Sequence, residues 1–133
     1  METKIGLKVK LKMNFASAVG KVTEALKSEG FGILTEIDVK ETMKKKLGVE
    51  YGPFKILGAC NPSLAHRALS AAPEVSLLLP CNVVVRQLAE NETEVSLIDP
   101  LIMMEAVSKP KLGDVASEAR AKLEKVTDTL RTL

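Results

Sequence analysis

Thiol, imidazole and carboxylate side chains are the groups in this chain able to do chemistry, and the thiols are confined to two short segments. Gly58-Ala59-Cys60-Asn61-Pro62 and Pro80-Cys81-Asn82-Val83 hold the only two cysteines of the 133 residues. Each segment stands where a strand-like run meets a helix or turn signal. Cys60 is predicted to close a strand just ahead of a helix N-terminus, where the helix dipole and free N–H groups favour negative charge. A thiol so placed has a lowered pKa and raised reactivity. His66 follows on the same helix, about one turn further on, and Arg67 adds an anion contact. The competing reading makes Cys60 a small buried apolar residue and His66 a surface one.

Cys60, Cys81 and His66 are therefore the candidate catalytic groups. A Cys/His nucleophilic pair needs a third, orienting group, for which Glu36, Asp38 and Asn82 are available. The cysteine and histidine spacing is no metal signature and there is no Cys-x-x-Cys, so no metal site is assigned. Met103 and Met104 read as core filler rather than soft-metal ligands. The chain has neither a phosphate loop nor a dinucleotide fingerprint, and no cofactor is implied. Whether the cysteines meet depends on strand direction. Antiparallel neighbours bring the end of the third strand beside the start of the fourth, whereas parallel ones place the cysteines at opposite edges of the sheet.

The elements that must position these groups are read from periodicity. Ile5, Leu7, Val9, Leu11 and Met13 alternate with lysines, the period of a half-buried strand whose Lys face stays in water. Asn14 caps a helix that buries Phe15, Val19, Val22 and Leu26 and stops at Gly30. Phe31 to Ile37 is a second strand. Asp38, with Glu41 three residues on, makes a capping box for a short helix with Val39, Met43 and Leu47 inward. Phe54 to Cys60 is a third strand. Asn61-Pro62 opens a helix with Leu64, Ala65, Ala68 and Leu69 inward, ending near Ala72-Pro73.

Leu77-Leu78-Leu79 and Val83-Val84-Val85 read as strand buried on both faces, broken at Pro80. A hairpin turn at 89–92 leads to a returning strand, Thr93 to Ile98. Asp99 to Lys111 is expected to be a loop with an apolar stretch at 101–104. Asp114 caps a last helix with Val115, Ala119, Leu123, Val126 and Leu130 on one side. The Lys face calls for helices on one side of the sheet only, yet the Leu and Val runs call for cover on both. That conflict predicts a homodimer, or a lid formed by 101–104.

Bulk properties set the remaining bounds. A composition of 46% hydrophobic and 27% charged residues suits a globular fold, and the chain, residues 1–133, is read as a single domain. With three Phe, one Tyr and no Trp, the core must be aliphatic. A net charge of +2 argues against a nucleic-acid partner, and Lys44-Lys45-Lys46 is a solvated helix face. No stretch approaches the roughly 18 apolar residues of a membrane span, and the N-terminus lacks a secretory signal. The protein is expected in the cytoplasm, with two free thiols.

Three separated motifs carry a resemblance over nearly the whole chain: Phe31-Gly32-Ile33-Leu34-Thr35-Glu36-Ile37-Asp38-Val39, Leu57-Gly58-Ala59-Cys60-Asn61-Pro62 and Leu79-Pro80-Cys81-Asn82-Val83-Val84-Val85. In this order the set resembles the prokaryotic family called Domain of Unknown Function 302. The resemblance implies an α+β fold of the TATA-binding-protein-like type, a curved, mainly antiparallel sheet with helices packed on one face. It favours the antiparallel choice, and so nearness of Cys60 and Cys81. It implies no DNA binding, because fold does not carry function, and it transfers no catalytic residue. The matching motif positions are Thr35, Glu36, Asp38, Cys60, Asn61, Pro62, His66, Pro80, Cys81 and Asn82. Thr35, Glu36, Asp38, Asn61 and Asn82 are carried over as candidate ligand-binding residues.

Three functions follow. The first is a binding module whose pocket is lined by Glu36, Cys60, His66, Cys81 and Asn82 beneath residues 101–104. The second is a redox or sulfur-transfer protein with Cys60 reactive and Cys81 resolving. The third is a structural dimerisation domain. The expected partners are a second copy of the chain and a small-molecule ligand.

Overall fold

The structure, a computed structural model, describes residues 4–107 and 110–133. Its elements run β1 (Gly6–Leu11), α1 (Phe15–Ser28), β2 (Gly32–Asp38), α2 (Val39–Leu47), β3 (Phe54–Cys60), α3 (Pro62–Ala71), a 3-10 helix (Pro73–Leu78), β4 (Cys81–Ala89), β5 (Glu92–Ile98), α4 (Pro100–Glu105) and α5 (Pro110–Arg131). The five strands form one sheet in the order β1-β5-β4-β3-β2, and every neighbouring pair is antiparallel. The fold is α+β.

The period-two pattern of β1 acts as expected: Leu7, Val9 and Leu11 are buried, while Lys8 and Lys10 turn away. Register continues that face across the sheet, Leu7 pairing with Leu97, Leu97 with Val83 and Val83 with Leu57. Helices α1 and α5 close over it, and Val22, Leu26, Leu123, Val126 and Leu130 complete the main core. Asn14 caps α1 by accepting from the Ser17 N–H at 2.9 Å. The chain then leaves through Gly30 at φ 85°, a left-handed turn that suits glycine, and the Phe31 N–H closes back on the Leu26 carbonyl.

A second apolar cluster lies beside the first. It joins Leu64, Ala68 and Ala72 of the α3 region to Val75 and to Leu112, Val115 and Ala119 of α5. The cations of the opposite sheet face are paired locally, Lys8 and Arg86 with Glu94 and Lys10 with Glu92.

Five expectations are corrected. Leu77–Leu79 is not strand: Pro73 starts a 3-10 helix that buries Val75 and leaves Leu77 89% exposed, and β4 begins only at Cys81. Val84 is not enclosed like its neighbours; Val83 and Val85 are fully buried, but Val84 lies on the other face of the pleat. Of the valine run, only Val84 lies on the face that α1 and α5 do not cover. The 99–111 segment is not a loop, since α4 and the first turn of α5 occupy most of it; residues 108 and 109, and the Met104 side chain, fall outside the described residues. Asp114 consequently lies inside α5, which opens on Pro110, a residue suited to a first helical position. Finally, Leu69 and Leu47, expected inward, are 37% and 70% exposed.

Candidate functional site

Cys60 ends β3 and Cys81 begins β4. These strands are antiparallel neighbours, with Ala59 in register with Cys81, so Cys60 lies one step along from its counterpart's partner. Both thiols are free and both residues are half-buried. They border one cavity of about 50 Å³ at the seam between the two apolar clusters. Phe31 and Ala59 wall it from the sheet side, Leu64, Ala65 and Ala68 from α3, and Val115, Ala116 and Ala119 from α5. Pro80 and Pro100 complete it. The apolar wall had no signature in the sequence beyond the helical stripes of α3 and α5, which read as ordinary core.

The predicted site residues do not converge there. Asn61 borders the cavity, but both ends of its amide are engaged: Oδ1 accepts from the Leu64 N–H, capping α3, and Nδ2 donates to the Glu29 carbonyl at 3.2 Å. Thr35 and Asn82 flank Gly58 in register, on the sheet face away from the cavity-lining Ala59, because successive residues alternate faces. A Cβ on Gly58 would collide with the Thr35 Oγ1 and meet Pro80 at 2.7 Å, so glycine is what lets these three segments close together. Glu36 forms an ion pair with Lys55 of the neighbouring strand at 2.5 Å. Asp38 caps α2 through the Glu41 N–H. His66 is exposed and faces a separate crevice with Arg67, Ser70 and Asp114; Arg67 in turn is paired with Glu118 of α5. Residues 101–104 belong to α4, and it is Pro100 that reaches the cavity.

The electrostatics reverse the expectation for the thiols. Burial pushes the Cys81 thiol up from its ordinary 9.0 to about 11, with the nearby Cys60 adding to the rise. Burial raises Cys60 as well. The start of α3 has few N–H groups to offer a thiolate, because Pro62 has none and the Leu64 N–H is taken by Asn61. At neutral pH both thiols are therefore neutral, weak hydrogen-bond donors. Among the described residues no three His, Cys, Asp or Glu side chains are grouped as metal ligands, and no helix is long and apolar enough to cross a membrane.

Comparison with known proteins places this arrangement. The sequence matches the family described as "Domain of unknown function DUF302" over residues 7–130. The chain belongs to the DUF302 family. The crystal structure of an uncharacterized conserved DUF302 protein from Bacillus stearothermophilus aligns with it at a TM-score of 0.87 and 28% identity, covering 97% of this chain and 100% of that one. No curated protein matches the sequence significantly. The matched DUF302 region includes both cysteine segments and every residue named around the cavity.

The raised thiols make this DUF302 domain sensitive to alkali. Between about pH 9 and 11 an unfolded Cys81 ionises while the folded one keeps its proton. The folded state then binds more protons, so stability falls as pH rises through that window and is unaffected below it. The loss should reach roughly 2–3 kcal/mol. Lys55 is raised by its hydrogen bond to Glu36, against an opposing effect of burial, and adds a parallel loss at higher pH. Urea unfolding from pH 7 to 11 should show the decline, and Cys81→Ala should flatten most of it. An equally steep decline in the variant would remove Cys81 as its source.

Proposed function

We propose that this DUF302 domain is a small-ligand-binding module whose ligand is a neutral, largely apolar molecule seated beside Cys60 and Cys81. The observation that carries the reading is the cavity itself: a void between two packed clusters, walled by aliphatic side chains, with Cys60, Asn61 and Cys81 at its border. Its size, about 50 Å³, leaves room for about two waters or an organic molecule of a few heavy atoms. An apolar void of this kind is poorly hydrated, so a matching molecule enters without displacing well-bonded water. The reading keeps the TATA-binding-protein-like curvature that the family resemblance implies. It also keeps a cytoplasmic location, where both cysteines stay reduced.

Thiol chemistry ranks below binding on this geometry. A nucleophile needs thiolate near neutral pH, and burial pushes both thiols the other way. The one histidine faces a different crevice.

Two measurements test the proposal together. Native mass spectrometry of protein purified without chelator or reductant should show added mass that disappears on denaturation. A panel of small neutral alcohols, ketones and hydrocarbons should include members that raise Tm by mass action. Ala65→Leu, which extends a cavity-lining side chain into the void, should abolish that rise. Bare protein together with no Tm response to any panel member would end the ligand reading.

A further inference from the structure

The sheet face turned away from α1 and α5 carries an apolar row that the ligand reading does not use. Register places Ile37 opposite Ile56, Ile56 opposite Val84, Val84 opposite Ser96 and Ser96 opposite Lys8. The next row runs Phe54, Arg86, Glu94, Lys10. One half of this face is thus aliphatic and aromatic, and the other half is charged. Ile37 is 50% exposed, and Ile56, Val84 and Phe54 keep part of their surface in solvent.

We propose that this face is where a second copy of the chain packs, sheet on sheet about a two-fold axis, with Ile37, Ile56 and Val84 at the centre. The charge pattern selects the occupant. Three cations of the face share two carboxylates, Lys8 and Arg86 pairing with Glu94 and Lys10 with Glu92, which leaves one positive charge over. A polyanion would gain only that surplus charge, with the Tyr51–Phe54 ring pair as its stacking platform. An identical face meets only weak repulsion, because the surplus is one positive charge per copy, spread beside an apolar row and screened by solvent. A two-fold axis brings apolar row against apolar row, the self-complementary contact of an isologous dimer.

The size also fits. Five strands spaced by about 4.8 Å and six residues at about 3.3 Å give roughly 500 Å² in plan before side-chain relief is counted. That approaches the about 800 Å² of accessible surface that each partner contributes to a standard interface. Facing sheets normally interdigitate their side chains in this manner.

The full chain at tens of micromolar should elute and scatter light at twice its 14.4 kDa mass. Ile37→Lys, on the edge strand β2, should weaken the dimer at least about tenfold while far-UV circular dichroism stays unchanged. Should that variant fold poorly, Val84→Thr, a milder polar change on the same row, should weaken the dimer in the same direction. A monomeric wild type overturns the proposal, as does growth into larger species with concentration. A dimer whose affinity neither substitution changes would place the interface elsewhere and overturn it too. The ligand measurements do not depend on this outcome, because the cavity lies on the helix side of the sheet.

Discussion

Replacing Leu123 by Ala is expected to cost about 3 kcal/mol of unfolding free energy. Leu123 is fully buried at the middle of α5 and belongs to the main core with Val9, Val95 and Leu97 of the sheet and Val22 of α1. The loss combines the transfer energy of the removed carbons with the cavity they leave, since neighbours held by a five-stranded sheet relax only in part. Against a typical total of about 5–15 kcal/mol, this is a large fraction. The control is Leu69→Ala. Helical spacing alone makes Leu69 an inward residue of α3, yet it is 37% exposed, and its truncation should cost under about 1 kcal/mol. Urea midpoints with unchanged slopes give both numbers. Equal costs at the two positions would mean that α5 is not packed on the sheet as described.

Arg120→Leu should be comparably damaging, at about 3 kcal/mol, through a different mechanism. Asp99, only 7% exposed, follows β5 and pairs with Arg120 of α5, while its other oxygen accepts from the Leu101 N–H at 2.9 Å. Arg120 also donates to Glu124 at 2.8 Å. Removing the guanidinium leaves a buried carboxylate short of its charged partner, which costs more than the pair itself contributes. Asp99→Asn combined with Arg120→Leu should therefore lose much less than the two single losses added together. Additivity of the two changes would show that the pair is not coupled. The contact matters for the site because Asp99 precedes Pro100, a wall of the cavity, and Arg120 follows Ala119, another wall. The same substitution should loosen the seam and weaken any ligand response seen in the wild type.

Much of the fold was legible because it rests on local rules. The Lys/apolar alternation of β1, the Asn14, Asp38 and Asn61 caps and the apolar stripe of α5 all place elements that the structure contains. Misreadings fell where local signals were ambiguous. A run of three leucines after a proline fits a buried strand or a 3-10 turn equally well, and only the packing of Val75 against α5 decides between them. The apolar stretch at 101–104 lacked the length for a confident helix period, so α4 read as a loop.

The candidate site divides in the same way. The sequence by itself determined that two thiols lie at strand ends in motifs of the DUF302 family, and that Asp38 and Asn61 have local capping work. Chain direction, register and packing then decided what those groups can do. Antiparallel pairing set Cys60 beside Cys81, while pleat parity turned Thr35 and Asn82 to the opposite face. Helical phase carried His66 to another crevice. Two apolar clusters from distant segments met around the thiols, and that desolvation raised their pKa where the helix-end argument had predicted a fall. Local backbone chemistry is written in neighbouring residues. The dielectric around a side chain, and the face it shares, depend on residues up to a hundred positions away.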